Sequence, residues 1–346
     1  MRYAAISNSF THLDHLAPLC YFLDMPYVVT NPKLFEHCQK YYPQVKVVYK
    51  DFTNFTLSYL AENFDALFLS SKAWGVELSH LIQRHEKKLM RFIYCPHGNS
   101  DKIYGYEHID QHFKHDIHLV YGQQMTDYLS HFNLLDLMNA TVTVGNYRRT
   151  FYLMHQTEFD HYAQTTIFSQ FAKPQKTIFY APTWRDVENN TSFLDYQHAL
   201  LKELPSHLNL IIKMHPLLEK YNPSETYYLL EKCKNLPNVV AILDIPFIYP
   251  IMNRSDAFLG DYSSVGYDFL PFKRPMFFLT QGKRETPLTQ CGYLVDPAPF
   301  ACIESHPENS HQDEQQKLYQ YAFEQNITTE EFVKNIKHHL TPVRAI

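Results

Sequence analysis

What most constrains this chain is a repeated alternation of short β-branched and aromatic runs with longer helix-compatible stretches. A first series holds Tyr3–Ile6, Tyr27–Thr30, Val45–Tyr49, Ala66–Leu69, Phe92–Cys95, His118–Tyr121 and Thr141–Val144, with amphipathic stretches such as Phe55–Phe64 and Val76–Lys88 between them. A second holds Thr177–Tyr180, Leu208–Lys213, Val239–Leu243, Asp256–Leu259 and Met276–Leu279. Strands spaced by helices specify a parallel sheet covered on both faces. A mostly helical stretch, Thr157–Phe171, closes at Lys173-Pro174 and separates the two series. The expected fold class is α/β, with two Rossmann-like doubly wound domains facing a cleft. The expected division is 1–158, a helical linker 159–174, a second domain 175–325, and a closing helix and tail 326–346. Thr328 or Thr329 is expected to cap that last helix, with Glu330 and Glu331 in its first turn.

Composition removes several function classes. Net charge is −5, from 31 basic and 36 acidic residues with no long basic stripe, which argues against a nucleic-acid partner. Cys20, Cys38, Cys95, Cys233, Cys291 and Cys302 are scattered without C-x-x-C spacing and read as reduced thiols of a cytosolic protein, not as a disulfide frame or zinc site. The stretch Met1–Ser7 turns polar at once, without a signal-peptide core, and no run of eighteen apolar residues occurs. The expected location is cytoplasmic, with peripheral association at the inner face of the membrane left open.

The most informative single stretch is Asp256-Ala257-Phe258-Leu259-Gly260-Asp261-Tyr262-Ser263-Ser264-Val265-Gly266-Tyr267-Asp268. An apolar strand meets a hydroxyl pair, and a helix-compatible segment follows. With Ser263 or Ser264 as cap, the helix would leave its first amides facing outward, an arrangement that suits phosphate. The chain has 9 Gly and neither a G-x-G-x-x-G nor a G-K-[ST] loop, so bound phosphate must be met by hydroxyls and a helix end. An ordinary strand–cap–helix junction explains these residues equally well.

Three further motifs precede it in order: Pro96-His97-Gly98-Asn99-Ser100-Asp101-Lys102, Tyr180-Ala181-Pro182-Thr183-Trp184-Arg185, and Ile212-Lys213-Met214-His215-Pro216. With Lys273-Arg274-Pro275 at the end, the set resembles the CDP-glycerol glycerophosphotransferase family, the teichoic-acid-type glycerol- and ribitol-phosphate transferases, over roughly residues 90–285. Two stretches depart from that pattern. Asn99-Ser100-Asp101 stands where a Thr-Pro-Leu type run is usual, and Gly145-Asn146-Tyr147-Arg148 where a Gly-x-Pro-Arg turn is usual. Both fall on the acceptor side.

The resemblance implies the GT-B arrangement and a metal-independent transferase without a cofactor. It implies a CDP-activated polyol donor, glycerol-phosphate first, a glycan or lipid-linked acceptor, and release of CMP. His97 would be the general base, although a turn histidine bonded to backbone fits the same position. His215 would hydrogen-bond the transferred phosphate, or simply end its strand. Arg185 offers a planar fork for phosphate, or a surface ion pair with Asp186 or Glu188. Thr183, Lys213, Asp261, Ser263, Ser264 and Asp268 complete the donor side. Asp261 could hold the hydroxyl pair, and Asp268 could bind sugar or glycerol hydroxyls or serve as an early-turn acid. His12, His15, Gly98, Lys102 and Arg148 are the acceptor-side candidates. His108 and His112 have the i, i+4 spacing of zinc ligands but lack H-E-x-x-H, and a solvated histidine-rich helix accounts for them, so no metal is expected. Two rival functions stand beside this reading: a nucleotide-sugar glycosyltransferase of the same fold, and a non-catalytic nucleotide- or glycan-binding protein.

Overall fold

A computed structural model describes residues 1–101, 116–186, 188–295 and 298–340. The first series of runs forms a seven-stranded sheet: β1 (Tyr3–Ile6), β2 (Tyr27–Val29), β3 (Val47–Tyr49), β4 (Ala66–Leu69), β5 (Arg91–Tyr94), β6 (Ile117–Val120) and β7 (Thr141–Thr143), in the order β3-β2-β1-β4-β5-β6-β7. The second forms a six-stranded sheet: β8 (Lys176–Tyr180), β9 (Leu208–Lys213), β10 (Val239–Ile242), β11 (Ala257–Gly260), β12 (Met276–Phe278) and β13 (Tyr293–Leu294), in the order β10-β9-β8-β11-β12-β13. Every recorded pairing is parallel. Both orders reverse direction at one place, between β1 and β4 and between β8 and β11. Open α/β sheets bind ligands at such a switch, outside the carboxyl ends of the strands. The α/β class with two doubly wound sheets is therefore the one read from the sequence.

The strands are mostly apolar, as suits a sheet covered by helices on both faces. β4, β9 and β11 are buried at every position. Ile178, Leu210, Ile212, Leu259 and Phe277 join in one core, and Ala4, Ile6, Leu67, Leu69 and Phe92 in the other. Each fully buried side chain of this kind contributes about 1.5–3 kcal/mol.

The compact units differ from the boundaries read in the sequence. One unit holds residues 1–97, 105–151 and 321–346, and the other holds 98–104 and 152–320. The helix Gln156–Thr166 groups with the second sheet because Phe159 and Tyr162 pack edge-on against Phe247, at 5.2 and 5.5 Å, and the Asn253 amide donates to Asp160 at 3.0 Å. The last helix, Thr329–Leu340, returns to the first unit, where Phe332 meets Phe22 at 5.5 Å. Its entry is a capping box: Thr328 Oγ1 accepts from the Glu331 N–H at 3.2 Å, and the Glu331 carboxylate accepts from the Thr328 N–H at 2.8 Å.

Among the described residues no helix is long and apolar enough to cross a membrane. All six cysteines are free, and burial raises their thiols, Cys38 to about 12.

Candidate functional site

In the second unit β9, β8 and β11 are neighbours, so their carboxyl ends bring three of the motifs to one rim. Asp261 organises that rim. Fully buried just beyond β11, it accepts from the Thr183 N–H at 2.9 and 3.1 Å, from the Ser192 N–H at 2.8 Å and from the Ser192 hydroxyl at 2.9 Å. Thr191 Oγ1 donates to the Thr183 carbonyl at 2.7 Å. Thr183 is thus a buried anchor of the loop that presents Trp184 and Arg185. Trp184 packs on the core below and stacks on Tyr221, with centroids 5.5 Å apart. Arg185 is exposed and, among the described residues, pairs with neither Asp186 nor Glu188. Asp186 instead accepts from the Glu188 and Asn190 backbones at 3.1 and 3.0 Å, and Glu188 lies 3.6 Å from Arg284.

Lys213 is the last residue of β9, buried, its ammonium 3.5 Å from the Met214 carbonyl. His215 lies past the strand, so the two do not share a strand face. It caps the helix Pro216–Tyr221 with its own ring: Nδ1 accepts from the Leu217 N–H at 3.1 Å. A nitrogen that accepts carries no proton, so the ring proton sits on Nε2 and makes that atom a donor.

The hydroxyl pair departs from expectation. The helix after it, Val265–Phe269, has five residues, and Ser264 holds the cap position without a side-chain cap bond. Its first amides are not left outward. The Val265 N–H meets the Ser263 hydroxyl at 3.4 Å, and the Gly266 and Tyr267 N–H groups bond the Ser263 and Ser264 carbonyls at 3.1 Å each. A tight first turn uses these donors internally. Ser263 is buried, whereas Ser264 is half-buried and its hydroxyl has no hydrogen-bond partner among the described residues. Asp268 is buried and accepts from the Tyr249 hydroxyl at 2.5 Å, an interior contact that supports the early-turn role over a ligand-facing one.

Gly98 belongs to this unit and sits at φ +128°, a conformation that side chains rarely adopt. Asp101, noted in the sequence only as a departure from the family pattern, anchors the same segment. Its buried carboxylate accepts from the Tyr267 hydroxyl and from the Leu288 N–H at 3.2 Å, and the Arg284 guanidinium donates to its carbonyl at 2.7 Å. Burial raises the Asp101 carboxyl, and the hydrogen bond from Tyr267 opposes that.

In the first unit three histidines gather. His97, exposed beyond β5, has its ring centroid 5.2 Å from that of His12 and 6.3 Å from that of His15. Burial, and then the neighbouring His97, push His12 down to about 3. His15 is buried, its Nδ1 3.1 Å from the Tyr121 hydroxyl, which itself donates to the Pro96 carbonyl at 2.9 Å. With the phenol proton given to Pro96, His15 Nδ1–H is the donor and Nε2 the unprotonated nitrogen. Burial and then Arg148 hold His15 well below the ordinary histidine value.

Arg148 is itself interior. Its Nε donates to the Asp14 carboxylate at 3.1 Å and to the Asp14 carbonyl at 3.2 Å, and the Tyr42 hydroxyl meets the other carboxylate oxygen at 2.5 Å. It therefore braces the His12–His15 segment rather than presenting a surface charge. Lys102, His108 and His112 lie outside the described residues. Among those described, no three side chains are grouped to hold a metal ion.

Residues 31–286, well over half of the chain, match the family model described as CDP-Glycerol:Poly(glycerophosphate) glycerophosphotransferase. A teichoic acid poly(glycerol phosphate) polymerase of Bacillus subtilis is 30% identical over 149 residues, covering 40% of this chain and 18% of that protein. A teichoic acid glycerol-phosphate primase of the same species is 27% identical over 107 residues, covering 31% and 26%. These alignments thus span about a quarter or less of the curated relatives. A solved wall teichoic acid polymerase matches 98% of this chain and 88% of its own at a TM-score of 0.65 and 15% identity. The UDP-GlcNAc 2-epimerase of Neisseria meningitidis, bound to UDP-GlcNAc, matches 98% and 99% at 0.58 and 13%.

Proposed function

The chain belongs to the CDP-glycerol:poly(glycerophosphate) glycerophosphotransferase family, and from that premise we propose that it transfers glycerol-phosphate from CDP-glycerol to a hydroxyl of a glycan or lipid-linked acceptor. The acceptor hydroxyl gives its proton to His97, and its oxygen attacks the phosphorus that bears glycerol. The bond from that phosphorus to the bridging oxygen breaks, and CMP leaves. His215 Nε2–H, the Arg185 guanidinium, Lys213 and the hydroxyls of Ser263 and Ser264 stabilise the phosphate oxygens, an electrostatic role suited to phosphoryl transfer. Thr183, Asp261 and Asp268 hold the donor-side loops, and Arg148 and Gly98 shape the segments on the acceptor side. Peripheral association with the membrane that carries a lipid-linked acceptor goes with this reading.

The observation that carries it is the fixed ring of His215. Capping its own helix through Nδ1 at 3.1 Å, the imidazole keeps its proton on Nε2 past the end of β9, in the sheet where neighbouring β8 leads to the exposed Arg185 and β11, next to β8, leads to Ser264. The test is product identity with CDP-glycerol and a glycerol-phosphate-primed acceptor. Release of CMP with an acceptor mass gain of one glycerol-phosphate supports the reading. Release of CDP or UDP from a nucleotide sugar would replace it with glycosyl transfer, which the likeness to a UDP-GlcNAc-binding fold keeps as the second reading.

A further inference from the structure

The loop after β1 is tied at each polar residue. The Ser9 N–H donates to the Ser7 hydroxyl at 3.1 Å, Ser9 Oγ accepts from the Thr11 N–H at 3.3 Å, and Asn8 accepts from the Thr30 N–H at 3.0 Å. The product is a single 3-10 turn, Phe10–His12, whose last ring is held by a bond of 3.1 Å between Nδ1 and Ser7 Oγ. This fixes the His12 ring 5.2 Å from the His97 ring, with the planes 43° apart. Imidazoles at that centroid distance can bring ring nitrogens to about 3 Å, within hydrogen-bond reach. The loop lies outside residues 31–286, the part matched by the family model.

We infer that His12 is a positioning residue for His97: in the tautomer that donates Nδ1–H to Ser7 Oγ, its Nε2 orients the His97 imidazole and accepts a hydrogen bond from it once His97 has taken the acceptor's proton. The inference rests on the reading of His97 as base.

Among the described residues, the histidine ring nearest to His97 is that of His12. From the helix Leu13–Leu23, His15 uses Nδ1 on Tyr121, and its ring centroid is 6.3 Å from that of His97. From the helix Tyr147–Met154, Arg148 is committed to Asp14, and the Tyr147 hydroxyl donates to the His15 carbonyl at 3.0 Å. The Cys95 thiol, at the end of β5, is raised by burial and stays neutral. His12 itself, pushed down to about 3, is an uncharged acceptor over the working range and does not repel a protonated His97.

The test is imidazole NMR titration of the full chain beside transfer kinetics, in wild type, His12→Phe and His12→Gln. Phenylalanine keeps a ring and removes the acceptor, whereas glutamine restores an acceptor without a titrating group. In His12→Phe the His97 midpoint should fall by about half a pH unit or more, and in His12→Gln it should hold. The acid limb of kcat/KM should move with it, and kcat should drop about tenfold at unchanged donor KM. An unchanged His97 midpoint in His12→Phe would overturn the inference. If His97→Ala transfers glycerol-phosphate at the wild-type rate, the base assignment fails, while the midpoints still decide whether the two rings are coupled.

Discussion

A Cβ added to Gly98 would stand 2.8 Å from the Ser264 Cβ and 2.9 Å from its hydroxyl. The backbone there, at φ +128°, excludes other residues independently of that clash. Gly98→Ala must therefore distort its own turn or displace Ser264, at a cost of about 1–3 kcal/mol from the backbone alone. A lowered urea midpoint together with weakened CDP-glycerol binding is the expected result. A variant with wild-type stability and affinity would show that the turn relaxes without touching the hydroxyl.

Asp261 is the second structural keystone of this unit's rim. Its carboxylate takes the Thr183 and Ser192 N–H groups and the Ser192 hydroxyl. Asp261→Ala leaves those buried donors without an acceptor, so the loss should be on the order of 3–5 kcal/mol. Thermal unfolding with and without CDP-glycerol reads both stability and loop integrity. Stability within about 1 kcal/mol of wild type would mean that the 183–192 loop is held by other contacts.

The frame of this protein was legible where local pattern decides. Buried parallel strands announce themselves as apolar runs such as Leu208–Lys213, and their helical spacing implies the doubly wound order. β13 escaped because two residues, Tyr293 and Leu294, carry no pattern. Arg148 was named only as an acceptor-side candidate, and its buried pairing was illegible because its partner, Asp14, is 134 residues away in sequence. Asp101 was illegible for the same reason, its partners Tyr267 and Leu288 lying 166 and 187 residues on. The hydroxyl pair was found, but its helix was misjudged. Propensity marks a helix start, and tertiary context decides whether the first turn tightens and uses its own amides.

With those amides used internally, the proposed phosphate affinity at this strand end falls to the side-chain hydroxyls. Ser263→Ala/Ser264→Ala should weaken CDP-glycerol by about 1.5–3 kcal/mol for each hydrogen bond lost to the charged phosphate. Calorimetry on the full chain is the measurement. A fragment of 175–325 is unsuitable because it lacks Phe159 and Tyr162, which cover Phe247. Unchanged affinity in the double variant would remove the serines from the donor site.

Acid should destabilise the first unit through its histidines. His12 titrates near 3 in the folded chain and His15 well below 6.5, whereas unfolded histidine titrates near 6.5. Between those values the unfolded chain binds more protons, so stability is full above about pH 6.5 and lost as pH falls toward 3. Asp101, raised in the fold, acts with the opposite sign, since its contribution is lost as pH rises from 3.8 through its folded value. Urea midpoints taken from about pH 7 down to about pH 4 should fall steadily, and His12→Gln/His15→Gln should flatten that slope. An equally steep slope in the double variant would place the acid sensitivity in other groups.

The two histidines proposed to act in transfer should fail in different ways. His215 caps a helix through Nδ1 and keeps its proton on Nε2, so His215→Ala mixes a cap loss of about 1 kcal/mol with the proposed chemical one. His215→Asn separates them, because asparagine caps well but is too short to replace the imidazole. It should unfold like wild type while losing both CDP-glycerol affinity and turnover. His97 caps no helix among the described residues. If it takes the acceptor proton, His97→Ala should lower kcat by about 10²–10⁴-fold and leave the donor Kd nearly unchanged. Donor affinity falling in parallel with kcat in His97→Ala would make it a binding group instead. Near-full turnover would move the base to another residue.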